Sequence, residues 1–154
     1  MAEKSGIKII AKNPKAFHEY YVEERYEAGI ELFGTEVKSI RNGGVSLKEA
    51  WCSIKNGELF LNQMHISPYE RGSFSNQDPL RPKRLLMHKK EIMMLMGKTQ
   101  QAGYALIPLC IYFKNSRAKV EIALAKGKNL YDKRQSEKMR DAEREMKKAL
   151  KLRY

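Results

Sequence analysis

Apolar and polar residues alternate along several short stretches of the chain, and this period of two predicts β-strands. The cleanest alternation lies in 117–125, where three charged residues are separated by single apolar ones. Residues 51–55 and 58–63 flank Asn56-Gly57, a dipeptide that strongly favours a two-residue hairpin turn. A further short apolar strand is expected at 7–11. These patterns therefore predict that the chain forms several β-strands.

Three longer runs extend this pattern. Residues 20–26 mix tyrosine and valine with acids, and 104–113 is apolar at both parities, as in a strand covered on both faces. Pro108 indicates an edge or a bulge in the second of these strands. The run 30–41 is predicted to be a bent strand, because its apolar residues do not share one parity and Gly34 would accommodate a bulge.

One helix interrupts the strands. Apolar residues recur at helical spacing between Ile92 and Thr99, which predicts a helix over 89–102 that Gly103 ends. Before it, the polar, proline-bearing stretch 67–82 is a loop long enough to suggest function. Six or seven short strands and one main helix predict a mainly β fold, a small closed barrel of the oligonucleotide-binding (OB) type.

Charge divides the chain into two parts. The formal net charge is +12, and residues 126–154 contribute eleven Lys and Arg against five Asp and Glu, a net +6. We therefore expect an RNA-binding body over 1–125 and a basic C-terminal tail over 126–154, called the arm below. Such a chain attracts polyanions, and the concentration of charge in the arm favours nucleic acid over an anionic membrane.

The remaining composition points to a cytoplasmic protein. Cys52 and Cys110 lie in apolar runs, which favours two reduced thiols over a disulfide. Neither a signal peptide nor an apolar run of about 18 residues is found. No membrane partner is expected.

Catalytic motifs are lacking in the sequence. His18, His65 and His88 are widely spaced, and no metal-binding or phosphate-cradling motif occurs, so we predict no enzyme activity, no cofactor and no metal. Glu23-Glu24 and Glu27 leave a metal-dependent nuclease as a remote alternative.

Candidate RNA contacts are easier to find. Lys83 and Arg84 directly precede two leucines, which places charge beside an apolar ledge. Lys38 and Arg41 are predicted to lie on the bent strand. The tyrosines Tyr20, Tyr21 and Tyr26 are either stacking platforms for bases or core residues.

Several motifs together resemble one known family, the SsrA-binding protein (SmpB) family. They are His18-Glu19-Tyr20, Tyr26-Glu27-Ala28-Gly29-Ile30, Gly34-Thr35-Glu36-Val37-Lys38-Ser39, Asp78-Pro79, Arg81, Leu85-Leu86, His88-Lys89, Ala125-Lys126-Gly127-Lys128 and Asp132-Lys133-Arg134. The similarity spans nearly the whole chain. Asn129 departs from the second lysine that members usually carry, and Pro82-Lys83-Arg84 varies the usual basic spacing.

The resemblance implies a role in trans-translation. The body would bind the tRNA-like domain of transfer-messenger RNA (tmRNA) and deliver it to stalled ribosomes, allowing peptide tagging and ribosome rescue. Residues matched to RNA binding are Glu27, Leu86 and His88, to which the basic pattern adds Lys38, Arg41, Lys83 and Arg84. Residues assigned to the decoding centre and the empty mRNA channel are His18, Lys126, Gly127, Lys128, Tyr131, Asp132, Lys133 and Arg134.

Further expectations follow from the same resemblance. The ribosomal partner is small-subunit rRNA, while elongation factor Tu and alanyl-tRNA synthetase are reached indirectly through tmRNA, and the protein acts as a monomer. The arm is expected to be disordered when free and helical on the ribosome, because its apolar stripe is thin. The alternative function is a general OB-fold single-strand RNA-binding or ribosome-associated protein.

Overall fold

A computed structural model describes residues 6–69, 76–128, 134 and 138–146. The elements in chain order are β1 (Ile7–Lys12), α1 (Pro14–Glu19), β2 (Tyr20–Ile30), α2 (Gly34–Arg41), β3 (Val45–Ser46), β4 (Trp51–Lys55), β5 (Glu58–Asn62), β6 (His65–Ile66), β7 (Lys83–Leu86), α3 (Lys89–Thr99), β8 (Tyr104–Lys114) and β9 (Arg117–Gly127). Residues 138–146 form a further helix, called the arm helix below.

Seven strands form one antiparallel sheet that closes on itself. Their order is β1-β8-β4-β5-β7-β2-β9, and an additional β8–β9 pairing closes the six strands from β8 to β9 into a ring, with β1 paired to β8. The short strands β3 and β6 pair separately. The predicted class, a mainly β barrel with one main helix, is confirmed.

Two apolar clusters line the two faces of β8 and β9. The residues Ile111, Val120 and Ile122 are fully buried inside the barrel. A smaller cluster, which includes Ala16 of α1 and Ala125, covers the opposite face. This two-sided burial explains why 104–113 is apolar at both parities, and the register shift after Pro108 confirms the predicted bulge.

The hairpin turn is also confirmed. Asn56 and Gly57 have φ angles of 53° and 75°, and they join β4 to β5 with Lys55 opposite Glu58. Both positions require left-handed backbone, which is why asparagine and glycine occupy them. In contrast, α3 ends at Thr99 rather than at 102, and Gly103, at φ 85°, lies in the turn that leads into β8.

The predicted strand over 30–41 is wrong. β2 ends at Ile30, and Gly34 begins the helix α2, so no bulge forms there. Glu36 and Ile40 are buried one helical turn apart, which explains the mixed parity of the apolar positions. Glu36 also accepts a hydrogen bond from the backbone N–H of Phe33 at 2.8 Å, which fixes the start of the helix.

Both cysteines are unpaired, as predicted, and burial raises the pKa of Cys52. Within the described residues, none of the helices is long and apolar enough to span a bilayer.

Candidate RNA interface

The pairing of β2 with β7 brings the first candidate residues together. Gly29 lies opposite Leu86, and Ile30 lies opposite Leu85. A Cβ atom on Gly29 would lie 3.2 Å from the Leu86 Cβ, so a larger residue there would push Leu86 back by a few tenths of an ångström. Leu86 remains 45% exposed. It therefore forms an apolar ledge two residues along β2 from Glu27.

Glu27 is held by two side chains from β8. The Tyr112 hydroxyl donates a hydrogen bond to its carboxylate, and Lys114 Nζ lies 3.5 Å from Glu27 Oε2. These contacts lower the pKa of Glu27, first through the tyrosine hydrogen bond and then through the charge of Lys114. Burial and the bond to Glu27 raise the pKa of Tyr112. The carboxylate is thus kept ionised and oriented, with acceptor capacity left for a base edge or a ribose hydroxyl.

The surface around Glu27, called the outer face below, is mainly basic. Lys119 on β9 pairs in register with both Gly29 and Tyr112. Arg25 lies on the same side of β2 and is 3.6 Å from Glu121. The outer face is defined by Arg25, Glu27, Gly29, Leu86, Tyr112, Lys114, Lys119 and Glu121. Three cations, with the oriented carboxylate of Glu27 and a second carboxylate at Glu121, suit the phosphates and hydroxyls of RNA.

Sequence reasoning missed Tyr112, Lys114 and Lys119 as site residues. Lys119 is one of the three charged residues of the alternating stretch 117–125, but the alternation alone gives it no role. Tyr112 reads as one more apolar residue in a buried strand, and its 85-residue separation from Glu27 hides the contact. Once β2, β9 and β8 are known to be neighbours, the alternation along β9 would identify Lys119.

Arg84 and His88 border the outer face. Arg84 is exposed and lies 3.0 Å from Glu31 and 3.8 Å from Glu58. Ion pairs this exposed contribute little stability and can be exchanged for phosphate. His88 is exposed and directly precedes α3 as its N-cap residue. A cavity of about 260 Å³ lies beside this border, between Leu86 and the hairpin turn at Gly57.

Lys83 requires a correction. The side chain is 0% exposed, and Nζ donates to the carbonyls of Met64 at 2.8 Å and Pro79 at 3.4 Å. Burial lowers its pKa to about 8. An ammonium held this way cannot reach a phosphate without leaving the interior, so the structure gives the predicted RNA contact no support. Lys83 instead ties the end of the 67–82 loop to the barrel.

Lys38 and Arg41 lie on α2, not on a strand. Lys38 Nζ is 5.6 Å from the centroid of the Tyr69 ring, and the Arg41 guanidinium is 5.4 Å from that of Phe113. Arg41 also borders a cavity of about 340 Å³ together with Lys8. These cations therefore belong to a different part of the surface from Glu27 and Leu86.

A second group forms where β9 ends against β2 and α1. Lys126 pairs in register with Tyr21, and Gly127 with Tyr20. Lys126 Nζ lies 5.9 Å from the centroid of the Tyr104 ring. Lys128 and His18 lie at the same end of the barrel, where Lys128 N donates to Glu19 O at 2.8 Å. The structure thus brings together four of the residues predicted to meet the ribosome.

The rest of that predicted set lies in the arm. Arg134 is helical and exposed, whereas Tyr131, Asp132 and Lys133 lie outside the described residues. Asn129 lies outside them as well. All nine residues of the arm helix are exposed. Arg140 Nη2 lies 2.9 Å from His18 Nδ1, which joins this helix to the body.

The acids considered for a nuclease site have separate partners. Glu24 accepts hydrogen bonds from Lys98 Nζ at 2.8 and 2.9 Å and from Tyr26, and these contacts lower its pKa. Glu23 accepts a hydrogen bond from the Tyr104 hydroxyl at 3.1 Å. Across 6–69, 76–128 and the described part of the arm, His, Cys, Asp and Glu form no group of three that would hold a metal.

Comparison with known proteins gives a consistent result. The family model described as SmpB protein matches residues 10–152. The SsrA-binding protein of Carboxydothermus hydrogenoformans is 58% identical over 147 residues, which cover 96% of this chain and 99% of the relative. That of Caldanaerobacter subterraneus subsp. tengcongensis is 56% identical over 149 residues, covering 97% and 94%.

A solved structure is also similar. It is a chain described as "tmRNA-SmpB: a journey to the center of the bacterial ribosome", with 47% sequence identity and a TM-score of 0.66. The similarity covers 78% of this chain and 85% of that chain.

Proposed function

Because the chain belongs to the SmpB family of SsrA-binding proteins, we propose that it binds the tRNA-like domain of tmRNA and delivers this RNA to stalled ribosomes. A protein of this family acts in trans-translation by binding RNA and is not an enzyme. Its partners are tmRNA and the ribosome. Elongation factor Tu and alanyl-tRNA synthetase would be reached through tmRNA, and the protein would act as a cytoplasmic monomer.

The oriented carboxylate of Glu27 carries the first part of this proposal. It lies between Tyr112 and Lys114, with Leu86 on the neighbouring strand. The lysines and arginines around it would bind phosphates, while the carboxylate would accept hydrogen bonds from base edges or ribose hydroxyls. An acidic acceptor among cations supports recognition of one structured RNA rather than of any polyanion.

The second part concerns the arm. We propose that His18 and the end of β9 face the decoding centre and that the arm enters the empty mRNA channel. The net +6 of residues 126–154 supports this, because a channel lined by rRNA phosphates attracts cations. The body over 1–125 and the arm over 126–154 would then act as two functional units.

A competition experiment tests the proposal. Labelled tmRNA should remain bound in a gel-shift assay when unstructured single-stranded RNA is present in large excess, and the purified protein should restore peptide tagging in a translation extract that lacks it. The alternative, a general single-strand RNA-binding or ribosome-associated protein, predicts that the unstructured RNA displaces tmRNA.

A further inference from the structure

The single tryptophan of the chain lies on the outside of the barrel. Trp51 is the first residue of β4, and half of it, 50%, is accessible. The next residue, Cys52, is buried in the core and pairs with Leu106 of β8. Because side chains alternate along a strand, Trp51 faces outward beside Ile107. One exposed aromatic residue is ordinary on a protein surface, so its surroundings decide what it means.

Two cavities adjoin Trp51 and form one cleft along the gap between β4 and β8. Their volumes are about 270 Å³ and about 400 Å³, and Tyr20, Trp51 and Ile107 line both of them. Within these two fully described strands only one pair of residues is in register, which leaves the gap. Tyr104 adds another ring to the larger cavity. The surface, called the Trp51 cleft below, is defined by Asn13, Lys15, Tyr20, Lys48, Trp51 and Tyr104.

The smaller cavity has a polar side chain in its floor. Asn13 lines this cavity and is 6% exposed, and its Nδ2 donates to Pro108 O at 2.9 Å. Its Oδ1 is buried and accepts no hydrogen bond from the described residues. A buried acceptor without a donor is costly. An amino group in the cavity would supply the donor, directly or through a water molecule.

Lysines border both cavities. Lys15 and Lys48 line the smaller one. At the larger one, Lys126 Nζ lies 5.9 Å from the centroid of the Tyr104 ring. Cations at the rim of an aromatic cleft are typical of sites where bases stack and their phosphates lie at the edge.

Two carboxylates lie among these lysines. Lys15 Nζ is 3.8 Å from Glu19 Oε1 and 3.7 Å from Glu49 Oε1, and each of the three side chains is at least 35% exposed. Ion pairs this loose contribute little stability and can be exchanged. The lysine can then contact a phosphate, while the carboxylates accept hydrogen bonds from the amino groups of a base.

We propose that the Trp51 cleft binds an unpaired nucleobase of an RNA partner, stacked on the indole ring of Trp51. The inference deepens the proposed function and rests on it, because it adds a second RNA contact at the opposite end of β8 from Tyr112 and Lys114. A paired base within a helix cannot stack here, since its neighbours already cover both of its faces. Both tmRNA and rRNA contain unpaired bases, and the experiment separates these two sources.

Trp51 reports its own contact, because the chain contains no second tryptophan. Its fluorescence is excited at a wavelength that tyrosine does not absorb, while the full-length protein is titrated with three RNAs. These are the tRNA-like domain of tmRNA, a model RNA of the ribosomal decoding site, and a fully paired duplex of similar length. Stacking of a base on the ring should quench at least about half of the emission, and the duplex should leave it unchanged.

Substitutions test whether the stacking contributes to binding. Trp51→Ala should weaken binding of the RNA that supplies the base by at least about fivefold, whereas Trp51→Tyr, which keeps a flat ring, should retain most of the affinity. Phe33→Ala is the matched control, because Phe33 is also 50% accessible but lies outside the cleft. Circular dichroism verifies that each variant is folded, and each is assayed by gel shift with tmRNA and for peptide tagging.

Two results support the proposal. Quenching by the tRNA-like domain, together with a loss of tmRNA affinity in Trp51→Ala, assigns the base to tmRNA. Quenching by the decoding-site RNA, together with reduced tagging and unchanged tmRNA affinity in Trp51→Ala, assigns it to the ribosome.

Other results overturn it. These are emission that neither RNA quenches, equal quenching by the duplex, or a Trp51→Ala variant that binds both RNAs and tags normally. An emission shift that depends on protein concentration in the absence of RNA would show that a second copy of the chain covers Trp51, and it would overturn the proposal too. Failure of the unsubstituted protein to bind tmRNA in the gel shift would instead remove the proposed function itself.

Discussion

The outer face of the barrel and the arm both carry positive charge, but they hold it differently. On the outer face, charged side chains meet partners from other strands: Glu27 contacts Tyr112 and Lys114, which lie 85 and 87 positions along the chain. In the arm helix the ion pair between Arg144 and Asp141, at 4.0 Å, joins neighbours of the same helix. Sheet register thus shapes the outer face before any RNA binds, whereas the geometry of the arm depends on one exposed helix.

The energetics of the two regions differ accordingly. The arm helix exposes Met139 and Met146, each 67% accessible, so it buries little apolar surface to offset an ordering cost of roughly 1 to 2 kcal/mol per residue. An exposed ion pair adds only about 0.2 to 0.5 kcal/mol. We therefore expect a helix that is marginal in the free protein and that rRNA stabilises in the channel. The two regions should then be separable by mutation.

The largest separation is expected from removing residues 129–154, which are most of the arm. A chain that ends at Lys128 retains the whole outer face and the hydrogen bond from Lys128 N to Glu19 O. It should bind tmRNA with unchanged affinity, yet peptide tagging on stalled ribosomes should fall to background, because nothing enters the channel. Gel shift and a tagging assay on the same preparation measure both. A large loss of tmRNA affinity would mean that the arm is part of the RNA-binding surface.

A single substitution tests whether the arm acts as a helix. Ala142→Pro costs about 3 kcal/mol of helix without changing charge. It should reproduce the tagging defect in the full-length protein, while the matched variant Ala142→Ser, which retains most of the helix propensity, should tag nearly normally. Normal tagging by Ala142→Pro would show that the arm works as an extended basic tether.

Substitutions on the outer face should have the opposite effect from those in the arm, since they should weaken tmRNA binding directly. Glu27→Gln keeps the shape of the side chain but removes its charge, and hydrogen bonds to a charged group are worth about 1.5 to 3 kcal/mol. Affinity for tmRNA should fall by at least about tenfold, as measured by gel shift.

Two variants refine that measurement. Tyr112→Phe removes the hydroxyl that orients Glu27 and should cause a smaller loss of affinity. Glu24→Gln, whose carboxylate is paired with Lys98, is the control and should bind normally. Equal losses for Glu24→Gln and Glu27→Gln would show a general charge effect in place of an oriented acceptor.

The predictability of these regions from sequence differs for physical reasons. Predictions from local sequence were confirmed. The Asn56-Gly57 turn and the bulge after Pro108 depend on backbone preferences that are visible in a few residues. The sequence predicts a strand where the structure has α2. The apolar residues of 30–41 do not alternate regularly, and this irregularity was attributed to a β-bulge at Gly34 when it came from a helix. The apolar residues Phe33, Val37 and Ile40, at positions i, i+4 and i+7, were the available signal for a helix.

Long-range contacts were harder to predict. Glu27 was recognised from a motif, but its partner Tyr112 becomes visible only when β8 is known to close the barrel. Lys83 was placed on the surface because it adjoins Arg84. Strand alternation would have shown otherwise: Arg84 and Leu86 point outward, so Lys83 must point inward with Leu85. Because buried lysines are uncommon, the charge of Lys83 favoured a surface position over the interior position that strand alternation indicates.

A smaller effect is expected in the salt dependence of tmRNA affinity, which should distinguish lysines on the surface from lysines in the interior. If Lys119 contacts a phosphate, Lys119→Met should reduce the slope of log affinity against log salt by about one unit, since each neutralised phosphate contributes roughly 0.9 in duplex DNA. Lys83→Met should leave this slope unchanged, because its ammonium is bonded to the carbonyls of Met64 and Pro79. Titrations by gel shift at several salt concentrations decide the point. A reduced slope for Lys83→Met would place its ammonium outside the barrel in the complex.

The subtlest difference is a pH dependence of stability. Burial lowers the pKa of Lys83 from 10.5 to about 8. Between these values the unfolded chain binds a proton that the folded protein does not, so stability should rise as the pH increases from about 8, by about 1.4 kcal/mol per unit of the shift. Below that range both states are protonated and the term is constant. The raised pKa values of Cys52 and Cys110 oppose the rise from about their ordinary value of 9.0, and that of Tyr112 from 10.0, because the unfolded chain loses these protons first. The Lys83 effect is therefore measured as a difference from Lys83→Met, in which these other groups are unchanged.

Urea unfolding between about pH 8 and pH 10, followed by far-ultraviolet circular dichroism, measures this effect. The unsubstituted protein and Lys55→Met, which lacks only an exposed lysine, should both gain stability relative to Lys83→Met across the window. Lys83→Met should be less stable by about 1 to 3 kcal/mol, because the Met64 and Pro79 carbonyls lose their donor, and its stability should not rise. If all three curves run parallel, the Lys83 ammonium is solvated in the folded protein. It would then belong with the surface cations of the outer face, and the distinction drawn from the salt dependence would fail with it.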